Sequence, residues 1–324
     1  PGAAARVVAP TSPIRFSDFV HAVGEVDWDE IEARSGVTRD EIRRVADMYA
    51  AAKNVVFGWT MGITHHVHGS DNVRMIANLA LLRGMAGRPH AGLMPIRGHS
   101  NVQGMGSIGV TPALKGAILE RYQARLGVAA PQSPGLDTMA CMAAADRGEM
   151  DAAVCLGGNL YGSNPDATFA QRSLSKIGLV TYLATTLNTG HAWGRGRETL
   201  VLPVLPRDEE SQSTTQEAMF SFVRLSDGGP KRYDGPRSEV SVLTELGRAV
   251  IGEDGPIDWR ELESHDAIRT LIAELIPGFE PIADIGRTKQ EFHIAGRHVS
   301  DRSFAPRDGK DRFHAVRLPD PRSL

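Results

Sequence analysis

Arg97 stands in a stretch of the chain where glycine is frequent and charged residues are scarce, between Pro95-Ile96 and Gly98-His99. Glycine lets the backbone approach a ligand closely, so a guanidinium in such a loop lies next to whatever binds there. Its planar fork of N–H donors matches the paired oxygens of a carboxylate or a phosphate. These residue types therefore predict an anion-binding position at Arg97. A structural arginine that donates to backbone carbonyls is the alternative.

The same stretch contains Gly104-Met105-Gly106-Ser107-Ile108-Gly109, which matches the G-x-G-x-x-G pattern of dinucleotide-binding turns. That pattern is informative only between a strand and a helix, because the helix N-terminus supplies the anion site. Here Arg97-Gly98-His99-Ser100-Asn101 precedes it instead of an apolar strand. We therefore interpret residues 84–109 as a long functional loop whose backbone N–H groups approach an anionic ligand, and not as an NAD site.

Further polar turns each follow a predicted strand. His65, His66 and His68 come after the first of these strands. Neighbouring histidines diverge on a strand or a helix, so a ligand-binding turn is favoured there over a zinc site. Gly157-Gly158-Asn159 and the polar run 185–189 follow two later strands. They fall at carboxyl ends, where nucleotides bind in open α/β sheets.

The cysteines give no support to nucleophilic or thiolate-metal chemistry. Cys141 falls in a predicted helix and Cys155 in a predicted buried strand, where a free cysteine behaves as a small hydrophobe. Two cysteines are too few for a four-thiolate metal site. The sequence also contains neither a G-x-S-x-G nor an H-E-x-x-H motif.

An alternation of helices and strands positions these turns and predicts an α/β fold. Thr38 and Glu41 have the spacing of a capping box at the start of a helix. Helices are predicted to begin at 38 and to span 71–85, 137–148, 166–176, 238–251 and 258–275, and strands are predicted at 54–58, 151–156, 178–184 and 200–202. Residues 1–27 and 286–324 show little apolar pattern and are expected to be irregular.

Several of these motifs together resemble the molybdopterin oxidoreductases. The resemblance is carried, in order along the chain, by Gly58–His66, Asn72, Asn78-Leu79-Ala80, Gly87-Arg88-Pro89 and Leu93–Gly104. Within the dimethyl sulfoxide reductase family, the chain resembles most the formate dehydrogenase alpha-subunit-like branch. Gly157-Gly158-Asn159 and Glu198–Pro203 fit the same family more loosely, and the resemblance extends over residues 25–285.

The resemblance implies a fold of two interleaved Rossmann-like three-layer α/β domains, incomplete at both ends of this chain. Residues 1–100 would be the C-terminal part of one dinucleotide-binding domain, ending in the Arg97 loop. Residues 101–285 would be the second pterin-dinucleotide-binding domain, and residues 286–324 a linker toward a C-terminal pterin-binding barrel. The chain is thus expected to be the middle of such an enzyme and to be inactive alone.

The resemblance also implies a molybdenum or tungsten centre held by two molybdopterin guanine dinucleotides. The iron–sulfur motif and the metal-ligating cysteine or selenocysteine are expected upstream, so no metal ligand is predicted within this chain. Arg97 occupies the position of an arginine that orients the formate carboxylate, and His99 stands where formate dehydrogenases often have glutamine. Both are predicted catalytic residues. Cofactor contacts are predicted at Met61, Gly62, His65, Gly98, Gln103, Gly104, Gly157, Gly158, Asn159 and Thr189.

Composition limits the partners. The 324 residues carry 36 basic and 39 acidic side chains, a net charge of −3, which argues against a nucleic-acid partner. No apolar run is long enough for a membrane span and no signal segment opens the chain, so a cytoplasmic location is predicted. The expected partners are a small anionic substrate such as formate and an electron-acceptor protein or subunit. The alternative to an enzyme is a cofactor-free scaffold or electron-transfer subunit with the same fold.

Overall fold

The structure is a computed structural model that describes residues 13–14, 16–113, 116–129, 133–295, 312–316 and 318. These residues form two compact units. Unit 1 takes its residues from 1–100, 219–221 and 295–324, and unit 2 takes its residues from 101–218 and 222–294.

In chain order the helices are α1 (Phe16–Gly24), α2 (Trp28–Ser35), α3 (Arg39–Ala51), α4 (Met61–Thr64), α5 (Gly69–Leu82), α6 (Val102–Ser107), α7 (Gly116–Leu126), α8 (Thr138–Asp146), α9 (Ala167–Leu174), α10 (Thr189–Trp193), α11 (Glu239–Ile251), α12 (His265–Leu275) and α13 (Ile285–Thr288). The strands are β1 (Pro13–Ile14), β2 (Val56–Trp59), β3 (Gly92–Pro95), β4 (Ala152–Leu156), β5 (Leu179–Ala184), β6 (Glu198–Pro203), β7 (Thr214–Glu217), β8 (Phe222–Ser226), β9 (Phe292–His293) and β10 (Phe313–His314). Short 3-10 helices occupy Arg207–Glu209, Glu261–Glu263 and Glu280–Asp284.

Unit 1 contains a pair of parallel strands. β2 and β3 align Val56 with Gly92 and Trp59 with Pro95, so both carboxyl ends lie at the same edge. α5 lies between the two strands in the chain and packs against β3. A parallel connection of this kind is the basic α/β unit, and ligands bind beyond its carboxyl ends.

The capping box predicted at the start of α3 is confirmed. The Thr38 hydroxyl accepts from the Glu41 N–H at 3.3 Å, and the Glu41 carboxylate accepts from the Thr38 N–H at 2.9 Å. Hydrogen bonds from the Thr38 hydroxyl and N–H lower the pKa of Glu41. The reciprocal pair satisfies two helix-terminal donors and fixes where α3 begins.

A buried asparagine ties β10 to α5 within unit 1. Asn78 donates from Nδ2 to the His314 carbonyl at 2.8 Å and accepts the His314 N–H at 3.0 Å. β10 also pairs antiparallel with β1. Burial lowers the pKa of His314, because the charged imidazolium is disfavoured away from water.

Unit 2 contains a three-stranded parallel sheet in the order β4-β5-β6. Helices α8 and α9 cover one face of it. The buried residues of that layer are Met142, Ala145, Ala170, Leu174, Ile177, Val180 and Tyr182. On the opposite face Val154, Leu156 and Leu200 are exposed. The sheet therefore has one covered face among the residues that the structure describes.

A second core of unit 2 joins an antiparallel sheet, in the order β7-β8-β9, to α12 and the segment after it. Its buried residues are Ile118, Val223, Leu275, Ile276, Phe279, Ile282, Ile285 and Ile294. Most of them are β-branched or aromatic, and they come from segments that are far apart in the chain. This core therefore depends on tertiary packing and not on one local pattern.

The α/β class predicted from the sequence is confirmed, because β2–β3 and β4–β5–β6 are parallel and helices connect successive strands. None of the described helices is long and apolar enough to cross a membrane.

The irregular loop expected over residues 84–109 is wrong in two places, because β3 and α6 lie within it. β3 is rich in glycine and proline, and its hydrogen bonds go to β2, which is remote in sequence. α6 contains two glycines, and Asn101, the residue before it, makes no side-chain cap. Local signals are weak in both, so tertiary contacts decide these elements.

The ends of the chain also contain elements where little structure was expected. α1 lies within residues 1–27, and the Phe19 ring stacks on Phe313 of β10 at 5.0 Å between centroids. β9 lies within residues 286–324 and pairs with β8 in unit 2. Strands of two residues give no periodicity that a sequence could reveal.

Asp146, at the end of α8, holds α9 and the residues after it through two cations. Its carboxylate accepts from Arg172 Nε at 3.0 Å and from Lys176 Nζ at 2.9 Å. These hydrogen bonds, that of Arg172 first, lower the pKa of Asp146 to about 2. Because the folded-state pKa lies below the ordinary value, the carboxylate stabilises the fold above that value, and its contribution is lost as the pH falls toward 2.

We expect Asp146→Asn to lower the melting temperature at neutral pH, and the difference from wild type to shrink through the acid range and vanish near pH 2. Thermal unfolding followed by circular dichroism across this range measures the effect. Asp234→Asn, at an exposed position, is the control and should leave the melting temperature unchanged. A difference for Asp146→Asn that does not depend on pH would contradict this role.

Candidate functional site

The carboxyl ends of β2 and β3 form a polar edge, called the unit 1 edge, with segments 60–65 and 96–99. After Trp59 the chain turns into α4, and after Pro95 it continues into Ile96 and Arg97. The Ile96 N–H donates to the Trp59 carbonyl at 2.8 Å, which extends the parallel ladder by one residue. This bond fixes the start of the Arg97 loop beside the turn that follows β2.

Four predicted cofactor contacts lie at the unit 1 edge and are exposed: Met61, Gly62, His65 and Gly98. A Cβ on Gly98 would lie 4.0 Å from Met61 Cε, which is ordinary van der Waals distance, so the two turns adjoin. Nothing lies within 4 Å of where a Gly62 Cβ would be. The structure thus brings these residues to one edge with open space beside the backbone, and their role in binding stays a prediction.

Arg97 is exposed, and its Nε donates to the Met219 thioether sulfur at 2.7 Å. Within the ranges that the structure describes, no carboxylate pairs with this guanidinium and no backbone carbonyl accepts from it. The described contacts therefore argue against the alternative that Arg97 is a structural arginine bonded to backbone carbonyls. A thioether is a weak acceptor, so the remaining N–H groups keep their capacity for the oxygens of an anion.

His99, two residues further on, is also exposed at the unit 1 edge. The described part of the chain offers its ring no hydrogen-bond partner. Both ring nitrogens are therefore open to solvent or to a ligand among the described contacts. Its position beside Arg97 in the chain is compatible with the predicted catalytic role.

Gly104 has a structural role in unit 2. Asn101 adopts a left-handed backbone conformation with φ of +61°, and its Oδ1 accepts from the Glu217 N–H at 2.9 Å. A Cβ on Gly104 would lie 2.0 Å from that oxygen. The glycine therefore makes room for the Asn101 amide. Gln103, the other contact predicted here, is half-buried on α6.

The G-x-G-x-x-G pattern at 104–109 begins inside α6, so it does not form a turn between a strand and a helix. This geometry agrees with the interpretation that it is not an NAD fingerprint. The expectation of a backbone loop around an anion is wrong for this part of 84–109, because residues up to Ser107 are helical.

The carboxyl ends of β4 and β5 form a second polar edge, called the unit 2 edge, with segments 157–159 and 188–191. Gly157 and Gly158 have φ of +65° and +74°, and no atom lies within 4 Å of where their Cβ atoms would be. Asn159 donates from Nδ2 to the Thr189 hydroxyl at 2.9 Å, and its Oδ1 accepts from the Gly162 N–H at 2.8 Å. Predicted contacts from two strands are thus held together, with an accessible backbone beside them.

Asn188, which belongs to the predicted polar run 185–189, and His191, which the sequence analysis did not single out, complete the unit 2 edge. Asn188 donates from Nδ2 to the Gly158 carbonyl at 2.9 Å, and its N–H donates to His191 Nδ1 at 3.0 Å. The latter bond leaves the ring proton of a neutral His191 on Nε2. The ring packs edge-on against Tyr182 at 4.9 Å between centroids. The N-x-x-H spacing directly after a predicted strand is the signal that would have found this pair.

No group of three or more His, Cys, Asp or Glu side chains is arranged to hold a metal ion within the described ranges. His65 and His66 are exposed in the turn after α4. Burial raises the pKa of the Cys155 thiol, which disfavours the thiolate that a nucleophile or a metal ligand needs. The donors at both edges are backbone amides, amide side chains, hydroxyls, imidazoles and a guanidinium. Such a set suits an organic anion.

The geometry thus defines an α/β protein in which each unit presents one polar, glycine-rich carboxyl edge. No protein-family model matches the chain. The chain is 33% identical over 323 residues to Protein YdeP of Escherichia coli K12, a match that covers 97% of this chain and 42% of YdeP. It is 32% identical over 306 residues to the uncharacterized oxidoreductase Rv2900c of Mycobacterium tuberculosis H37Rv, covering 92% of this chain and 39% of that protein.

A shorter match of 97 residues is 40% identical to formate dehydrogenase H of Escherichia coli K12 and covers 30% of this chain and 14% of that enzyme. The chain spans about two fifths of the length of YdeP and of Rv2900c. These comparisons agree with the resemblance to oxidoreductases found in the sequence.

We expect Gly104→Ala to destabilise unit 2 by about 2 kcal/mol, because the new methyl group would displace the Asn101 amide from the Glu217 N–H. Gly106→Ala in the same helix is the matched control, since nothing lies within 4 Å of its Cβ position. It should stabilise the protein by up to about 1 kcal/mol, as alanine is the better helix former. Urea denaturation of both variants measures the difference. Equal effects of the two substitutions would contradict the role of Gly104.

Proposed function

We propose that the chain is part of the catalytic subunit of a molybdopterin-dependent oxidoreductase, similar to formate dehydrogenases, that oxidises or reduces a small anion by two electrons. The single observation that carries the proposal is Arg97, an exposed guanidinium at a carboxyl edge without a carboxylate partner among the described residues. The oxidoreductase name of Rv2900c and the local similarity to formate dehydrogenase H support the class of reaction.

The proposed cofactor is molybdenum or tungsten held by two molybdopterin guanine dinucleotides, one at each unit. The two units would then be the interleaved Rossmann-like domains of that family. Both edges fit such a ligand, because each leaves open space beside glycine backbone at strand ends. Met61, Gly62, His65 and Gly98 would contact one dinucleotide. Gly157, Gly158, Asn159 and Thr189 would contact the other.

When bound, the metal centre supplies the redox chemistry. The contribution of this chain is position and charge. Arg97 would hold the two oxygens of the anion by parallel N–H bonds, which fixes the orientation of the remaining bond of a formate carbon. Oxidation of formate gives carbon dioxide, two electrons and a proton, and a ring nitrogen of His99 would accept that proton. The electrons would pass to an iron–sulfur cluster and an acceptor protein outside this chain.

Arg97→Ala tests the proposal in the intact protein. We expect a fall of about 100-fold or more in kcat/KM for formate, or for whichever small anion the wild type turns over, because a charge-assisted pair of bonds to the anion is lost. Arg97→Lys should recover only part of the loss, since an ammonium lacks the planar fork. Turnover is measured with an artificial electron acceptor, and metal content is checked in each variant.

Arg43→Ala, an exposed arginine on α3, is the matched control and should keep wild-type activity. Wild-type kcat/KM in Arg97→Ala would contradict the role given to Arg97. Well-folded wild type that turns over no small anion and contains neither molybdenum nor tungsten would favour the cofactor-free scaffold or electron-transfer subunit.

A further inference from the structure

Glu217, the last residue of β7, is an acidic side chain for which the proposed function has no use. It is 4% exposed, and both carboxylate oxygens are buried without a hydrogen-bond partner in the part of the chain that the structure describes. Its backbone N–H, in contrast, is bonded to Asn101. The backbone at this position is therefore fixed while the charged end of the side chain lacks a counterpart.

The strand register places the Glu217 side chain toward the interior. Glu217 pairs with Val223 across the β7–β8 hairpin, and Val223 belongs to the second core of unit 2. Neighbouring Gln216 points the other way, where its Oε1 accepts from Arg207. Since side chains alternate along a strand, Thr215 and Glu217 share the inward face.

A cavity of about 50 Å³, called the Glu217 cavity, lies on this inward face. Its polar lining includes Glu217, Thr215 and Asn101, and its apolar lining includes Ile272, Phe279 and Ile282. A space of this size holds a few water-sized groups. It is too small for a nucleotide, a pterin or a second side chain.

A buried carboxylate without a partner is strongly destabilising, because desolvation of the charge is not offset. The arginines nearest in sequence are committed elsewhere: Arg224 pairs with Glu291, and Arg207 with Gln216. On α12, Arg269 pairs with Asp266. Among the described residues, Glu217 therefore lies beside a cavity and pairs with no cationic side chain.

We propose that the Glu217 cavity binds an ammonium-sized monovalent cation, ammonium or potassium, with the Glu217 carboxylate as its charged ligand. Thr215 and Asn101, whose side chains also carry oxygens, line the same cavity. A divalent ion fits less well, because magnesium demands near-ideal octahedral oxygen coordination and calcium takes six or more oxygen ligands, whereas this lining contains one carboxylate. The site is independent of the proposed redox function.

Thermal unfolding of the intact protein tests the site. We expect a higher melting temperature in ammonium or potassium chloride than in the same concentration of tetramethylammonium chloride, whose cation is too large. At ten times the dissociation constant the rise should be roughly 2 °C for a chain of 324 residues. Glu217→Gln keeps the shape and removes the charge, so it should abolish the difference between the salts. Glu198→Gln, on the exposed edge strand β6, is the matched control and should retain it.

Crystals grown or soaked with rubidium chloride give a second measurement that does not depend on a variant. Rubidium is close in size to ammonium and potassium, and its anomalous signal should appear within contact of the Glu217 carboxylate. A cavity that holds only water, together with equal melting temperatures in the three salts, would overturn the proposal. If Glu217→Gln does not fold, the rubidium density alone decides.

Discussion

In a parallel ladder all carboxyl ends point the same way, and both candidate edges depend on this constraint. β2 pairs with β3, and β4 pairs with β5. The backbone pairing alone therefore brings the turns after these strands side by side, and no contact between their side chains is needed. Beyond the last pair the backbone groups are no longer paired along the strand, and glycine keeps them accessible. Arg97 and the Gly157-Gly158 pair owe their placement to this arrangement.

Asparagine amides fix two turns of unit 2, of which one lies at the unit 2 edge. The Asn101 amide accepts the Glu217 N–H, and the Asn159 amide bonds both Thr189 and Gly162. In each case a glycine leaves the space that the amide occupies: a Cβ on Gly104 would lie 2.0 Å from Asn101 Oδ1, and one on Gly190 would lie 2.4 Å from Asn159 Oδ1. The glycine content of these segments therefore serves side-chain packing as well as ligand access. A glycine-rich segment is therefore not by itself evidence of an irregular loop.

The sequence alone predicted the elements whose pattern lies within one short segment of the chain. The capping box at Thr38, the apolar strand at Ala152–Leu156 and the strand at Leu179–Ala184 were predicted within one residue. β3, α6 and the β7–β8 hairpin escaped prediction, because their hydrogen bonds and buried contacts come from distant parts of the chain. The same distinction between local and distant signals applies to the residues of the candidate site. Residues in turns after strands, Asn188 among them, were predicted to lie together, whereas His191 and Glu217 became visible only through their partners or the lack of them.

The most direct measurement of the central claim is the metal and pterin content of the intact protein, purified under conditions in which a related formate dehydrogenase loads its cofactor normally. We predict molybdenum or tungsten in stoichiometric amount, together with guanine nucleotide released from the pterin dinucleotide on acid hydrolysis. Well-folded protein that contains neither would contradict it, and the two polar edges would then belong to a scaffold with the same fold.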